Sequence, residues 1–147
     1  RDTFAAFLKS LTPEQQKAAT LEGTYRDIIA GPQADDAIPT EQEGLSVNKL
    51  NNTQKALLMK AIATYVEDIN ATDAKKYMDK YASEMPDTVI GFSGTTALNS
   101  EDDYVRVDGP SIWIEFSLQS NKSTDENGNH PHSVWRDKTD DYGGQTQ

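Results

Sequence analysis

The sequence predicts an α+β domain, with a helical part over residues 1–85 packed on a small antiparallel sheet formed by residues 86–147. Three observations predict it. Up to Pro86 the apolar residues recur three and four apart, as one face of a helix requires. Beyond Pro86 they alternate with polar residues, as a half-buried strand requires. The length of 147 residues suits one domain with one core.

In chain order, Thr3 is placed to cap a short helix carrying Phe4, Phe7 and Leu8. Thr12-Pro13-Glu14-Gln15 reads as a capping box with proline at the first helical position, and the helix it starts is expected to stop near Gly23. Residues 25–30 read as a further helical turn ended by Gly31-Pro32, and residues 32–44 as a surface loop rich in Pro, Asp, Glu and Gly. Asn51 and Gln54 form a second capping box. Leu57, Leu58, Ala61, Ile62, Tyr65, Val66 and Ile69 then make the strongest helical stripe in the chain. Asn70 and Thr72 offer caps for the next helix, whose stripe is Ala74, Tyr77, Met78, Tyr81, Ala82 and Met85. The segments around Gln15 and Gln54 look alike, and shared capping grammar explains this without a repeat.

Residues 88–93 read as a strand, and residues 104–108 and 111–119 as a hairpin turning at Gly109-Pro110. Joining Asp108 to Ser111 sets Val107 opposite Ile112 and Val105 opposite Ile114 on one face. Arg106 then lies opposite Trp113, and Tyr104 opposite Glu115, on the other. Residues 120–131 read as a polar loop, residues 132–137 as a last short strand, and the end as a fraying tail.

Composition limits function. The hydrophobic fraction is 35%, the charged fraction 26% and the formal net charge −10. Such a surface repels phosphate backbones, so nucleic acid is an unsuitable partner. With no cysteine, disulfide, thiolate and Cys-type zinc chemistry are excluded. No apolar run approaches the roughly 20 residues of a membrane span. Asn51, Asn70 and Asn121 each begin a glycosylation sequon, which matters only in a glycosylating host. Arg1 is not an initiator methionine, so the chain reads as a processed product, an excised domain or a fragment.

His130-Pro131-His132 holds the only two histidines. On an extended segment both imidazoles point to one side, where they suit a Cu, Zn or Ni ion if a carboxylate joins them. Glu115, Asp137 and Asp141 are the candidates. The competing reading is two partly exposed histidines at a loop-to-strand junction. Trp135, Arg136, Asp137, Asp141 and Tyr142 are read equally as a structural ion-pair network or as part of a site. Arg106 and Trp113 are expected to form a cross-strand cation–π contact. Asp125-Glu126-Asn127-Gly128-Asn129 alternates oxygen ligands but lacks the bidentate glutamate of a calcium loop, so a solvated turn is the better reading.

Asp103-Tyr104-Val105-Arg106-Val107-Asp108-Gly109-Pro110-Ser111-Ile112-Trp113-Ile114-Glu115-Phe116 resembles the family known as domain of unknown function 3500. So do His130-Pro131-His132-Ser133-Val134-Trp135-Arg136-Asp137 with Asp141-Tyr142-Gly143, and the upstream segments containing Phe7-Leu8, Gln15, Gly44-Leu45 and Gln54. The resemblance implies a secreted bacterial protein, of which this chain is the C-terminal portion of a longer precursor. It also implies that residues like His130 and His132 recur with a variable residue between them. It implies no reaction. Two functions stay open. The first is a non-catalytic secreted module that binds or self-assembles into a homo-oligomer or extracellular assembly. The second is a Cu- or Zn-binding, or metal-dependent hydrolytic, domain built on His130, His132, Glu115 and Asp141.

Overall fold

The computed structural model describes residues 1–32, 34–120 and 129–140. Within these the order is α1 (Asp2–Lys9), α2 (Pro13–Ala19), β1 (Leu45–Ser46), α3 (Asn52–Val66), α4 (Ala71–Glu84), β2 (Val89–Ser93), β3 (Tyr104–Asp108), β4 (Ile112–Ser120) and β5 (Asn129–Asp137). Three 3-10 turns punctuate it at Asp35–Ala37, Val47–Lys49 and Met85–Asp87. The strands form one antiparallel meander in the order β1-β2-β3-β4-β5, so helices precede most of the sheet as an α+β layout requires.

Capping chemistry sets the helix starts. Thr12 and Asn51 both close capping boxes with Gln15 and Gln54. The two boxes face each other: Gln54 Nε2 donates to Gln15 Oε1 at 2.7 Å and to the Ser10 carbonyl at 2.8 Å, and Gln15 Nε2 donates to the Lys49 carbonyl at 2.7 Å. The two look-alike segments are thus partners across an interface. Asn51→Ala is expected to lower stability by about 1 kcal/mol, read from urea unfolding, because the Gln54 backbone N–H loses its acceptor. Three expectations fail here. α1 begins at Asp2 with no side-chain cap, so Thr3 is not the cap. α2 ends at Ala19, because Thr20 leaves the helix to form a parallel bridge with Phe92. Residues 25–30 are not helical.

Ile90, Phe92, Val105, Val107, Ile112, Ile114, Phe116 and Leu118 line one face of the sheet. They pack with Phe4, Phe7 and Leu8 of α1, with Leu58, Ala61, Ile62 and Val66 of α3, and with Ala74 and Tyr81 of α4. Ala82, assigned to the α4 stripe by spacing, is exposed. The β3–β4 hairpin keeps the expected faces but slips two residues from the expected register. Asp108 pairs with Trp113, Val107 with Ile114 and Arg106 with Glu115. Gly109 N–H donates to the Ile112 carbonyl, so the turn lies at Pro110-Ser111.

The other face is also covered. Residues 21–32 and 34–44 lie across it as an irregular strap. Leu21 lies over Gly91, where an added Cβ would meet its Cδ2 at 2.6 Å. Ser93 Oγ donates to the Gly23 carbonyl at 2.9 Å, and Gln42 Nε2 to the carbonyls of Asp108 at 2.9 Å and Asp87 at 3.1 Å. Gly44 closes the strap at φ +130, pressed against the Ile90 carbonyl.

Candidate functional site

Strand alternation puts Tyr104, Arg106 and Asp108 of β3, Trp113, Glu115 and Ser117 of β4, and Arg136 of β5 on the strap-covered face. All seven are buried, so the sheet carries a polar layer opposite its apolar one. Burying such groups is tolerable only if they bond to one another or to the strap.

Glu115 is the hub of this layer. Its side chain is fully buried and takes four hydrogen bonds from donors among the described residues. Tyr104 Oη (2.6 Å) and the Ile29 N–H (2.8 Å) donate to Oε1. The Ala30 N–H (2.9 Å) and Trp113 Nε1 (2.8 Å) donate to Oε2. This explains why residues 25–30 are not helical: two backbone N–H groups turn inward to the carboxylate. Burial, followed by the neighbouring Glu115, pushes the Tyr104 hydroxyl far above its ordinary pKa. Tyr25 stacks on Tyr104 with ring centres 4.3 Å apart.

Arg106 lies 5.7 Å from the Trp113 ring centre and 5.9 Å from that of Tyr25, and donates to Glu43 Oε2 at 3.0 Å. The expected Arg106–Trp113 contact is therefore present, but diagonally, since Arg106 pairs directly with Glu115. Among the described residues, Arg106 Nε, Asp108 Oδ2 and Ser117 Oγ are buried without a hydrogen-bond partner.

The two histidines sit where β5 meets the strap. His130 and His132 share the strap face, with ring centres 4.7 Å apart and planes at 76°. His132 Nδ1 lies 2.7 Å from Asp27 Oδ1. The structure thus brings the histidines together and pairs His132 with Asp27, a residue that sequence reading missed. Glu115 is bound elsewhere, two residues along β4 from the partner of His132. Asp137 is on the opposite face, bonded to Lys80 and Tyr81 of α4. Trp135 is on that face too, with Nε1 donating to Tyr81 Oη at 3.0 Å and its ring edge-on to Tyr77. Asp141, Tyr142, Asn121 and the 125–128 part of the acidic loop lie outside the described residues. Asn51 and Asn70 are both helix caps. Among the described residues no three His, Asp or Glu side chains converge as a cation site. No helix among them is long and apolar enough to cross a membrane.

The alternation Tyr104-x-Arg106-x-Asp108 and Trp113-x-Glu115-x-Ser117 was the available signal for the covered face. Solvent-facing strand positions seldom pair large aromatics with single opposite charges; here both kinds sit under the strap.

A family model described as "Protein of unknown function (DUF3500)" matches residues 1–144. No curated protein and no solved structure matches the chain.

Proposed function

We propose, for a chain that belongs to the DUF3500 family of proteins of unknown function, that this is a non-catalytic module of a secreted protein that self-associates through the outer edge of β5. The secreted location rests on the sequence resemblance alone. The observation that carries the reading is the edge. β5 is nine residues long, ends the sheet, and pairs only with β4 among the described residues. Lys138 N–H donates to the Ser111 carbonyl, so the even-numbered residues of β5 bond β4, and the N–H and C=O groups of Ser133 and Trp135 point outward. Pro131, which lacks an N–H, occupies an outward position where no ladder bond is lost. An open edge of this kind is a template for another strand, and a second copy of β5 supplies the matching groups.

The non-catalytic half is supported by the fate of Glu115. An acid with every acceptor position filled and no exposure has no group left for substrate. Sedimentation velocity across a concentration series tests the association. The wild type is expected to form a dimer or larger species. Ser133→Pro, which removes an outward N–H without touching the β4 ladder, is expected to weaken it at least about tenfold. A wild type that stays monomeric up to its solubility limit would refute the reading.

A further inference from the structure

We propose that His130 and His132 form a two-imidazole site for Cu(II), with Asp27 as the positioning residue. This rests on the histidine face of β5 and not on the strand edge, so it stands or falls independently of self-association. The histidines are at alternate positions of one strand, opposite Gln119 and Ser117 of β4, so both rings leave the sheet on the same side. His130 is exposed and His132 half-buried, which leaves the pair open to an ion from solvent.

The spacing fits shared coordination. A metal–imidazole bond of about 2.0 Å puts each ring centre about 3.1 Å from the ion. Two neighbouring ligands at roughly 90–110° then have centres about 4.4–5.1 Å apart. The observed separation is 4.7 Å. A carboxylate only accepts hydrogen bonds, so the 2.7 Å contact with Asp27 Oδ1 assigns the His132 proton to Nδ1 and leaves the Nε2 lone pair for the ion. Carboxylate–imidazole–metal order is the arrangement that fixes a ring's tautomer and raises its basicity. Asp27 comes from the strap, 105 residues away in sequence, so the site exists only in the folded chain. Two imidazoles leave the remaining positions to water. For a set of nitrogen and oxygen ligands Cu(II) binds most tightly of the divalent first-row ions, and it accepts the square-planar geometry that two neighbouring nitrogens and two waters give.

The test is titration of the full chain with Cu(II) in a non-coordinating buffer at neutral pH, followed by calorimetry and electron paramagnetic resonance. The expected result is one tight equivalent whose spectrum shows two nitrogen ligands. Zn(II) is expected to bind the same pair more weakly. His130→Ala and His132→Ala should each weaken binding at least about tenfold and remove one nitrogen from the spectrum. Asp27→Ala should weaken it by about 10–100-fold with both nitrogens retained, and Asp27→Asn, which keeps an acceptor for Nδ1–H, should recover part of the loss. Melting temperatures of these four variants and of the double histidine variant near that of the wild type show that the fold is intact. Unchanged affinity and spectrum in the double variant His130→Ala/His132→Ala would overturn the site, placing the copper at surface carboxylates. Asp27→Ala binding as tightly as the wild type would overturn the positioning role.

Discussion

Glu115→Ala is expected to lower stability by about 4 kcal/mol, the largest single loss available in the polar layer. The truncation strands four donors at once: the Tyr104 hydroxyl, the Trp113 indole N–H and the backbone N–H groups of Ile29 and Ala30. Leaving one buried donor unpaired costs about 1–3 kcal/mol. The sum is reduced because the strap is irregular and its two N–H groups recover solvent if residues 25–30 lift away. Against a total of about 5–15 kcal/mol for a domain of ordinary stability, the variant is close to its unfolding threshold. Glu115→Gln keeps the size but turns one acceptor into an NH2 facing two donors, so about 2 kcal/mol is expected. Urea unfolding followed by tryptophan fluorescence reads both values, since Trp113 is one of the stranded partners. Limited proteolysis supplies a second readout: cleavage within residues 21–32 should accelerate in Glu115→Ala before global unfolding. A loss under about 1 kcal/mol would mean that the strap is held by its other contacts and that Glu115 is free for another role.

Much of this organisation was legible in the sequence, and the failures share a cause. Helix starts were readable at Thr12, Asn51 and Asn70 because capping is local chemistry within four residues. The α3 stripe was readable because Leu58, Ala61, Ile62 and Val66 recur at helical spacing. The β3–β4 hairpin gave the right faces and the wrong partners. A shift of two residues leaves an alternating pattern unchanged, and only the turn at Pro110-Ser111 distinguishes the registers. The two-residue β1 was missed because it is too short to show a period. The strap was illegible for a different reason. Residues 21–44 follow no periodicity, and what fixes them is long-range: Tyr25 on Tyr104, two N–H groups on Glu115, Glu43 on Arg106. For the candidate site, the same-side placement of His130 and His132 followed from alternation. Asp27 could not have been chosen from the chain's many carboxylates, because nothing local ties it to a histidine 105 residues away.

The second large effect lies on the opposite face of the sheet. Asp137→Ala is expected to cost about 3 kcal/mol, because this side chain joins α4, the end of β5 and the segment after it. Only 4% exposed, it accepts from Lys80 Nζ at 2.9 and 3.0 Å, Tyr81 Oη at 2.9 Å, and the N–H (2.9 Å) and Oγ1 (2.7 Å) of Thr139. Lys80 is partly exposed and rehydrates when the carboxylate is removed, which holds the loss near the lower end for a broken buried pair. Tyr81, by contrast, is buried, and its hydroxyl proton loses the acceptor it has. The same residue makes stability depend on pH. Burial by itself pushes the Asp137 carboxyl upward, but the bonds from Lys80, Thr139 and Tyr81 outweigh it and hold the pKa below the ordinary 3.8. A folded-state value below the unfolded one means that the unfolded chain takes up the proton first as acid is added. The contribution of Asp137 is therefore fully present above about pH 4 and is lost as pH falls through the lower, folded-state value. Unfolding free energies of the wild type and Asp137→Asn, measured from neutral pH into acid, should differ by a constant amount down to about pH 4 and converge below it. Asparagine keeps the shape but does not titrate, so convergence isolates the proton. A gap that stays constant well below pH 4 would assign the loss to packing and refute the claim that Lys80, Thr139 and Tyr81 favour the ionised carboxylate.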